Sequence, residues 1–147
     1  MNQGQPARRS RKILLADGDE RVQRIVREVA AQRGHVLIQA TSAAATLILA
    51  SETQPELIVL DLAFSDADGR DVLRQLKLRP DTRQIPVVVW SGREGHESDS
   101  RISLDLGAED YVEKDSFGQL DVALGKDDAR LLLLKLERVL LRLDAER

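Results

Sequence analysis

At 147 residues, with 42% hydrophobic residues and a net charge of −3, the chain has the length of one domain and enough apolar side chain for one core. It contains no cysteine, which excludes disulfides and thiolate metal sites, and its acidic balance gives no chain-wide footprint for nucleic acid. No apolar run is long enough to span a bilayer and the start lacks the apolar stretch of a signal peptide, so a cytoplasmic protein with no membrane contact and no direct nucleic-acid contact is expected.

Residues 1–10 are polar and without periodicity, and predict a flexible basic tail; the cluster Arg8, Arg9, Arg11 and Lys12 lacks accompanying aromatics and reads as solvated charge. KILLA, residues 12–16, is a short apolar run that predicts a strand. Val22, Ile25, Val26 and Val29 form a helical stripe over residues 20–33, which Gly34 ends. HVLIQA, residues 35–40, is strand-like, and Thr41 or Ser42 can cap a helix through Ala44, Leu47, Ile48 and Ala50 that Pro55 breaks. LIVLD, residues 57–61, is a near-continuous apolar strand, followed by a loop and a helix over about residues 69–77 with Val72, Leu73 and Leu76 on one face. Pro80 and Pro86 bracket a loop before VVVWS, residues 87–91. A weaker helix covers about residues 97–106 up to Gly107, DYV at 110–112 is a fifth strand, and a leucine-rich helix covers about residues 127–143. Strands alternate with helices and several are apolar throughout, the mark of a parallel sheet covered on both faces, a doubly wound α/β domain spanning residues 11–147.

In such folds the working site lies at the carboxyl ends of the strands. Asp17, Asp61 and Ser91 end strands 1, 3 and 4, and Lys114 lies just past strand 5. Carboxylates drawn together need a cation, and magnesium suits oxygen ligands. A carboxylate beside magnesium can attack phosphorus and form an aspartyl phosphate, with a hydroxyl and an ammonium binding the phosphoryl oxygens. Each residue alone has an ordinary reading: Asp19 caps the first helix, Ser91 sits in a turn, and Lys114 is a surface lysine. Trp90 reads as core, and the isolated His35 and His96 as structural or solvated. No glycine-rich nucleotide motif occurs.

The segments LLADGDE, LIVLDLAFSDADG, VVVWSG and GAEDYVEK together resemble the response-regulator receiver domain of bacterial two-component signalling, in an atypical stand-alone form. The likeness covers roughly residues 11–114 and continues less well into the last helix. It implies a flavodoxin-like five-stranded parallel sheet of order 2-1-3-4-5 with helices on both faces, and a signalling module with no enzyme activity. It implies phosphorylation of Asp61 by a sensor histidine kinase or phosphotransfer protein, a switch through Ser91 and Tyr111, and phosphate binding by Lys114. Magnesium would be held by Asp17, Asp61 and the backbone carbonyl of Ala63, with Asp19 as a further candidate. Gly92 fits the small residue needed beside the phosphoryl group, and Ala63 and Arg93 would border it.

The chain departs from the family pattern at three places. Gly18 replaces the acid that usually touches the metal, so weaker metal binding is expected. Asp115 replaces the proline after the lysine; a cis bond there without proline costs about 3–4 kcal/mol, so a trans bond and a reshaped loop are expected. Ser65 replaces the usual proline after Asp61, which predicts a less constrained loop. The 33 residues after Lys114 are too few for an added output domain, so output through a downstream protein partner is expected. Leu132, Leu136, Val139, Leu140 and Leu143 make one stripe on the last helix and Leu134 and Leu141 another, either covered by the domain and the segment before it or open to a homodimer or partner. Gly18 and Asp115 leave open a pseudo-receiver that binds without phosphorylation. Asp17-Gly18-Asp19 also matches the nucleophile motif of haloacid-dehalogenase-like phosphatases, although Arg21 departs from that pattern.

Overall fold

The computed structural model describes residues 9–92, 96–114 and 122–146. Strand β1 (Lys12–Ala16) leads to α1 (Glu20–Gln32), β2 (Val36–Ala40) to α2 (Ala43–Thr53), and β3 (Leu57–Leu60) to α3 (Gly69–Leu78). Then come β4 (Val87–Ser91), α4 (His96–Asp105), β5 (Asp110–Glu113) and α5 (Val122–Glu146). The strands pair in parallel in the order β2-β1-β3-β4-β5.

Alternation along each strand divides the core into two layers. Ile13, Leu15, Val59, Val88 and Trp90 face one side, against Val22, Val26 and Val29 of α1 and Leu132, Leu133 and Leu136 of α5. Leu14, Ile58, Leu60 and Val89 face the other, against Val72, Leu73 and Leu76 of α3. Both faces are therefore dry, which is why these strands read as unbroken apolar runs instead of alternating ones.

Local chemistry sets the boundaries. The Asp19 carboxylate caps α1 by accepting from the Arg21 N–H at 2.9 Å, and the Ser42 hydroxyl caps α2 by accepting from the Ala45 N–H at 3.0 Å. Gly34 and Gly107 follow their helices at φ +80° and +106°, a left-handed turn that glycine enters without strain. At Gly69 the need is steric: an added Cβ would lie 2.4 Å from Leu62 Cα and 2.7 Å from the Asp61 carbonyl oxygen. Its N–H donates to the Leu62 carbonyl at 2.9 Å, drawing the start of α3 against the end of β3.

Several expectations are corrected. The last helix begins at Val122 and ends at Glu146, longer at both ends than the leucine pattern indicated. Its first turns continue through Gly125 because Lys126 reaches Glu28 of α1 at 3.3 Å and Ala129 is wholly buried, offsetting the glycine's poor helix propensity. Arg11, read as solvated charge, is 5% exposed and donates to Asp144 of α5 at 2.8 Å. Arg9 also reaches Glu56, at 3.0 Å, and Asp144, at 3.3 Å. The loop after β3, expected to be loose at Ser65, is tethered: the Asp66 carboxylate accepts from the N–H groups of Ala43 and Ala44 at 2.9 and 3.2 Å. These bonds hold its carboxyl below the usual carboxylate range. Ala63 and Asp68 form a bridge that closes the same loop.

Leu132, Leu136, Val139 and Leu140 of the first stripe of α5 are buried and Leu143 is partly so, whereas Leu134 and Leu141 of the second, together with Leu131, are exposed. A polar clasp at the opposite end of the sheet from the strand carboxyl ends fixes α5. His35 Nδ1 accepts from the Arg11 N–H at 3.0 Å, so the ring proton sits on Nε2, which donates to Glu137 at 2.6 Å. Arg33 donates twice to the same carboxylate, at 2.9 and 2.5 Å. His35 is thus structural, as its isolation in the sequence suggested.

Burial disfavours the charged form of Glu137, but the bonds from Arg33 and His35 outweigh it and hold the carboxyl below its ordinary range. Its stabilising contribution is therefore full above the ordinary glutamate range and is lost as the pH falls toward the depressed folded value. Glu137→Gln is expected to cost about 2 kcal/mol at neutral pH, with the gap to wild type closing in acid. Urea unfolding across a pH series checks this, and a gap independent of pH would contradict it.

Candidate functional site

The parallel register aligns the strand ends. Ala16 pairs with Leu60, and the Asp61 N–H donates to the Ala16 carbonyl at 2.9 Å, which sets Asp17 beside Asp61. Ser91 pairs with Glu113, and the Lys114 N–H donates to the Ser91 carbonyl at 2.7 Å, which brings Lys114 to the same rim. Four groups far apart in sequence thus meet because the ladder runs one residue past β1, β3 and β5, onto Asp17, Asp61 and Lys114, beside Ser91 at the end of β4.

Their side chains form one connected cluster. Lys114 Nζ lies 2.5 Å from Asp17 Oδ2 and 3.1 Å from Asp61 Oδ2. The other oxygen of Asp61, Oδ1, accepts from Ser91 Oγ and from the Ala63 N–H, both at 3.3 Å. Asp17 Oδ1 accepts from the Asp19 N–H at 2.9 Å. Asp17 is wholly buried and Asp61 is 9% exposed. Burial pushes the Asp17 carboxyl up, and the neighbouring Asp61 adds to this, against the opposing pull of the Lys114 ammonium. Lys114, though followed by Asp115 in place of proline, thus places its ammonium at both acids. Asp115 itself lies outside the described residues, as do Arg93 and the side chain of His96.

Tyr111 packs against the α2 and α3 side of the core, in register with Val89, and its hydroxyl approaches Ser91. Burial raises its phenol. Ser91 thus has both Asp61 and Tyr111 as neighbours. Gly92 borders the same region, and an added Cβ there would meet nothing within 4 Å. Asp19 is placed elsewhere: its carboxylate takes the Arg21 guanidinium at 2.9 Å as well as capping α1, and Arg21 holds it below the usual range.

Gly18 leaves the rim without a third acid, and among the described residues no group of three histidine or acidic side chains could hold a metal ion. The remaining oxygen donors, the carboxylates of Asp17 and Asp61 and the carbonyl of Ala63, fit a hard divalent cation that keeps several of its waters. An added Cβ at Gly18 would meet only the Thr41 carbonyl, at 3.6 Å, so the position has room for a side chain.

Two features escaped the sequence reading. Trp90 is core, at 1% exposure, but Lys114 Nζ also sits 4.9 Å from its ring centroid. The residue types at 90 and 114 could have suggested a cation over a ring only with the β4–β5 register in hand. The second is a cavity of about 400 Å³ beside the cluster, lined by Leu62, Ala63, Asp68, Arg70, Ser91, Gly92 and Asp99. It adjoins the two groups that hold Asp61 Oδ1.

Comparison with known proteins agrees with this geometry. The family model described as the response regulator receiver domain matches residues 13–124. The transcriptional regulatory protein KdpE of Escherichia coli is 33% identical over 119 residues, covering 81% of this chain and 48% of that protein. The phosphate regulon regulator PhoB of Escherichia coli is 31% identical, covering 71% of this chain and 45% of that protein, so the chain spans about half the length of such relatives. Among solved structures, the Mn(2+)-bound form of response regulator Rcp1 is 30% identical with a TM-score of 0.65, covering 80% of this chain and 90% of that one. The phosphorylated cyanobacterial phytochrome response regulator RcpA is 28% identical with a TM-score of 0.68, covering 84% of this chain and 91% of that one. A CheY-like receiver from Methanospirillum hungatei, 23% identical with a TM-score of 0.77 over 95% of this chain and all of that one, shows the same fold. The chain therefore belongs to the response-regulator receiver domain family of two-component signalling.

Proposed function

We propose that residues 11–147 act as one receiver unit that accepts a phosphoryl group on Asp61 from a phosphohistidine of a sensor kinase or phosphotransfer protein. The observation that carries this reading is the division of labour at Asp61: one oxygen is held by Lys114 and the other faces Ser91 and the Ala63 N–H. In the transfer an oxygen of Asp61 forms the new bond to phosphorus while the phosphorus–nitrogen bond breaks. The electron pair leaves on the imidazole, which takes up a proton. Lys114, Ser91 and the Ala63 N–H supply donors to the oxygens on which charge develops. Asp17, Asp61 and the Ala63 carbonyl would hold magnesium, which supplies charge neutralisation at the phosphoryl oxygens. The Mn(2+)-bound and phosphorylated states of the two related regulators lend support by analogy. Ser91 and Tyr111 are the switch pair in this reading: Ser91 moves toward the phosphoryl group and Tyr111 repacks behind it.

The second reading is a pseudo-receiver that keeps the fold without phosphorylation, favoured by Gly18 and the incomplete acid set. A haloacid-dehalogenase-like phosphatase has less support, because Asp17 is wholly buried and the Asp19 carboxylate is taken by Arg21 and the α1 cap. Output passes through protein contact in our reading, and Leu131, Leu134 and Leu141 on the outer face of α5 are the apolar surface that suits a homodimer or a downstream partner. No described helix is long and apolar enough to cross a membrane.

Trp90 lies under the Lys114 ammonium, so its fluorescence should report occupancy of the site. Magnesium with beryllofluoride, a phosphoryl analogue, is expected to change that fluorescence in wild type and not in Asp61→Asn. Gly18→Asp should lower the magnesium concentration required by roughly tenfold. No response in wild type at millimolar magnesium would favour the pseudo-receiver. For the output surface, Leu134→Glu combined with Leu141→Glu is expected to abolish self-association or partner capture in sedimentation experiments without lowering the melting temperature. Association unchanged by that pair would rule the face out.

A further inference from the structure

The cavity beside Ser91 carries a cation in its wall. Arg70, in the first turn of α3, lines it together with Leu62, Ala63, Ser91 and Gly92. Its guanidinium is held between two acids on that wall. On one side Nη2 donates to Asp68 Oδ2 at 3.0 Å and Nε contacts both Asp68 oxygens at 3.3 Å. On the other side Nη1 stands 3.7 Å from Asp99 Oδ1 of α4. The Arg70 side chain is 39% exposed, and ion pairs this open and this long are weak. The arrangement spans three elements, because Asp68 caps α3, Arg70 belongs to α3, and Asp99 belongs to α4.

A phosphoryl group on Asp61 Oδ1 would enter between Ser91 and Ala63, into this cavity, and would carry about two negative charges where the carboxylate carried one. Lys114 is already shared between two carboxylates, and Gly18 contributes no metal ligand. The site is therefore short of positive charge once phosphorylated. Asp68 takes the Nε and Nη2 edge of the guanidinium, so Nη1, at 3.7 Å from Asp99, is the group left for a phosphoryl oxygen, a stronger acceptor than that long contact. We infer that Arg70 is a phosphoryl-positioning residue that leaves Asp99 for the group on Asp61, so that occupancy of the site frees α4 from α3. This rests on the reading that Asp61 takes the phosphoryl group. It adds a second cation at the phosphoryl oxygens and a direct mechanical link from them to α4.

The test is a beryllofluoride titration at saturating magnesium, read by Trp90 fluorescence, on the full chain. Arg70→Gln is expected to raise the half-saturating beryllofluoride concentration by about tenfold. Asp99→Asn is expected to lower it, because the guanidinium no longer has a competing partner. The opposite signs separate a phosphoryl ligand from a structural ion pair, whose two halves would weaken binding alike. Both variants behaving as wild type, or both weakening alike, would overturn the inference while leaving phosphorylation of Asp61 standing. A wild-type protein that gives no response would overturn both.

Discussion

Lys114 places one ammonium 2.5 Å from Asp17 and 3.1 Å from Asp61, above the ring of Trp90. Two carboxylates this well buried repel each other and lose their hydration, and burial already pushes Asp17 toward its neutral form. A cation between them is the condition for both to sit charged at one rim. The second oxygen of Asp61 accepts only the longer bonds, at 3.3 Å, from Ser91 and the Ala63 N–H.

The backbone makes this cluster possible. Parallel pairing carries the hydrogen-bond ladder past β1, β3 and β5 onto Asp17, Asp61 and Lys114, so the rim inherits its alignment from the dry core beneath it. The loop after Asp61 is held at both ends, by Asp66 on the start of α2 and by Gly69 against Leu62, and a Cβ at 69 would collide with that backbone. The far end of the sheet is closed by the clasp of Arg11, Arg33, His35 and Glu137, which fixes α5 and leaves its outer leucines open. One end of the domain is thus closed by the clasp, and the other gathers the buried acids and their lysine.

Much of this was legible in the sequence, for reasons that differ by element. The apolar runs of β1, β3 and β4 and the stripe of α1 are strong periodic signals, and the structure places them within a residue of their expected bounds. The acids, serine and lysine at strand ends were visible because strand ends converge in a parallel sheet. The length of α5 was not, because Gly125 and the charged residues beside it read as a boundary until packing against α1 is known. The burial of Arg11 was hidden likewise, since its partner Asp144 lies far along the chain. Arg70 and Asp99 had no sequence signal: each is an ordinary charged residue on a helix, and only the folded structure brings them together at the cavity.

The claim on which the account turns is that Asp61, held by Lys114, is a phosphoryl acceptor despite Gly18. Incubation with acetyl phosphate and magnesium, followed by peptide mass mapping, addresses it directly. The account predicts a hydroxylamine-labile phosphoryl group on the peptide containing Asp61, dependent on magnesium and absent in Asp61→Asn. An unmodified Asp61 peptide, or a phosphoryl group on Asp17 instead, would contradict it.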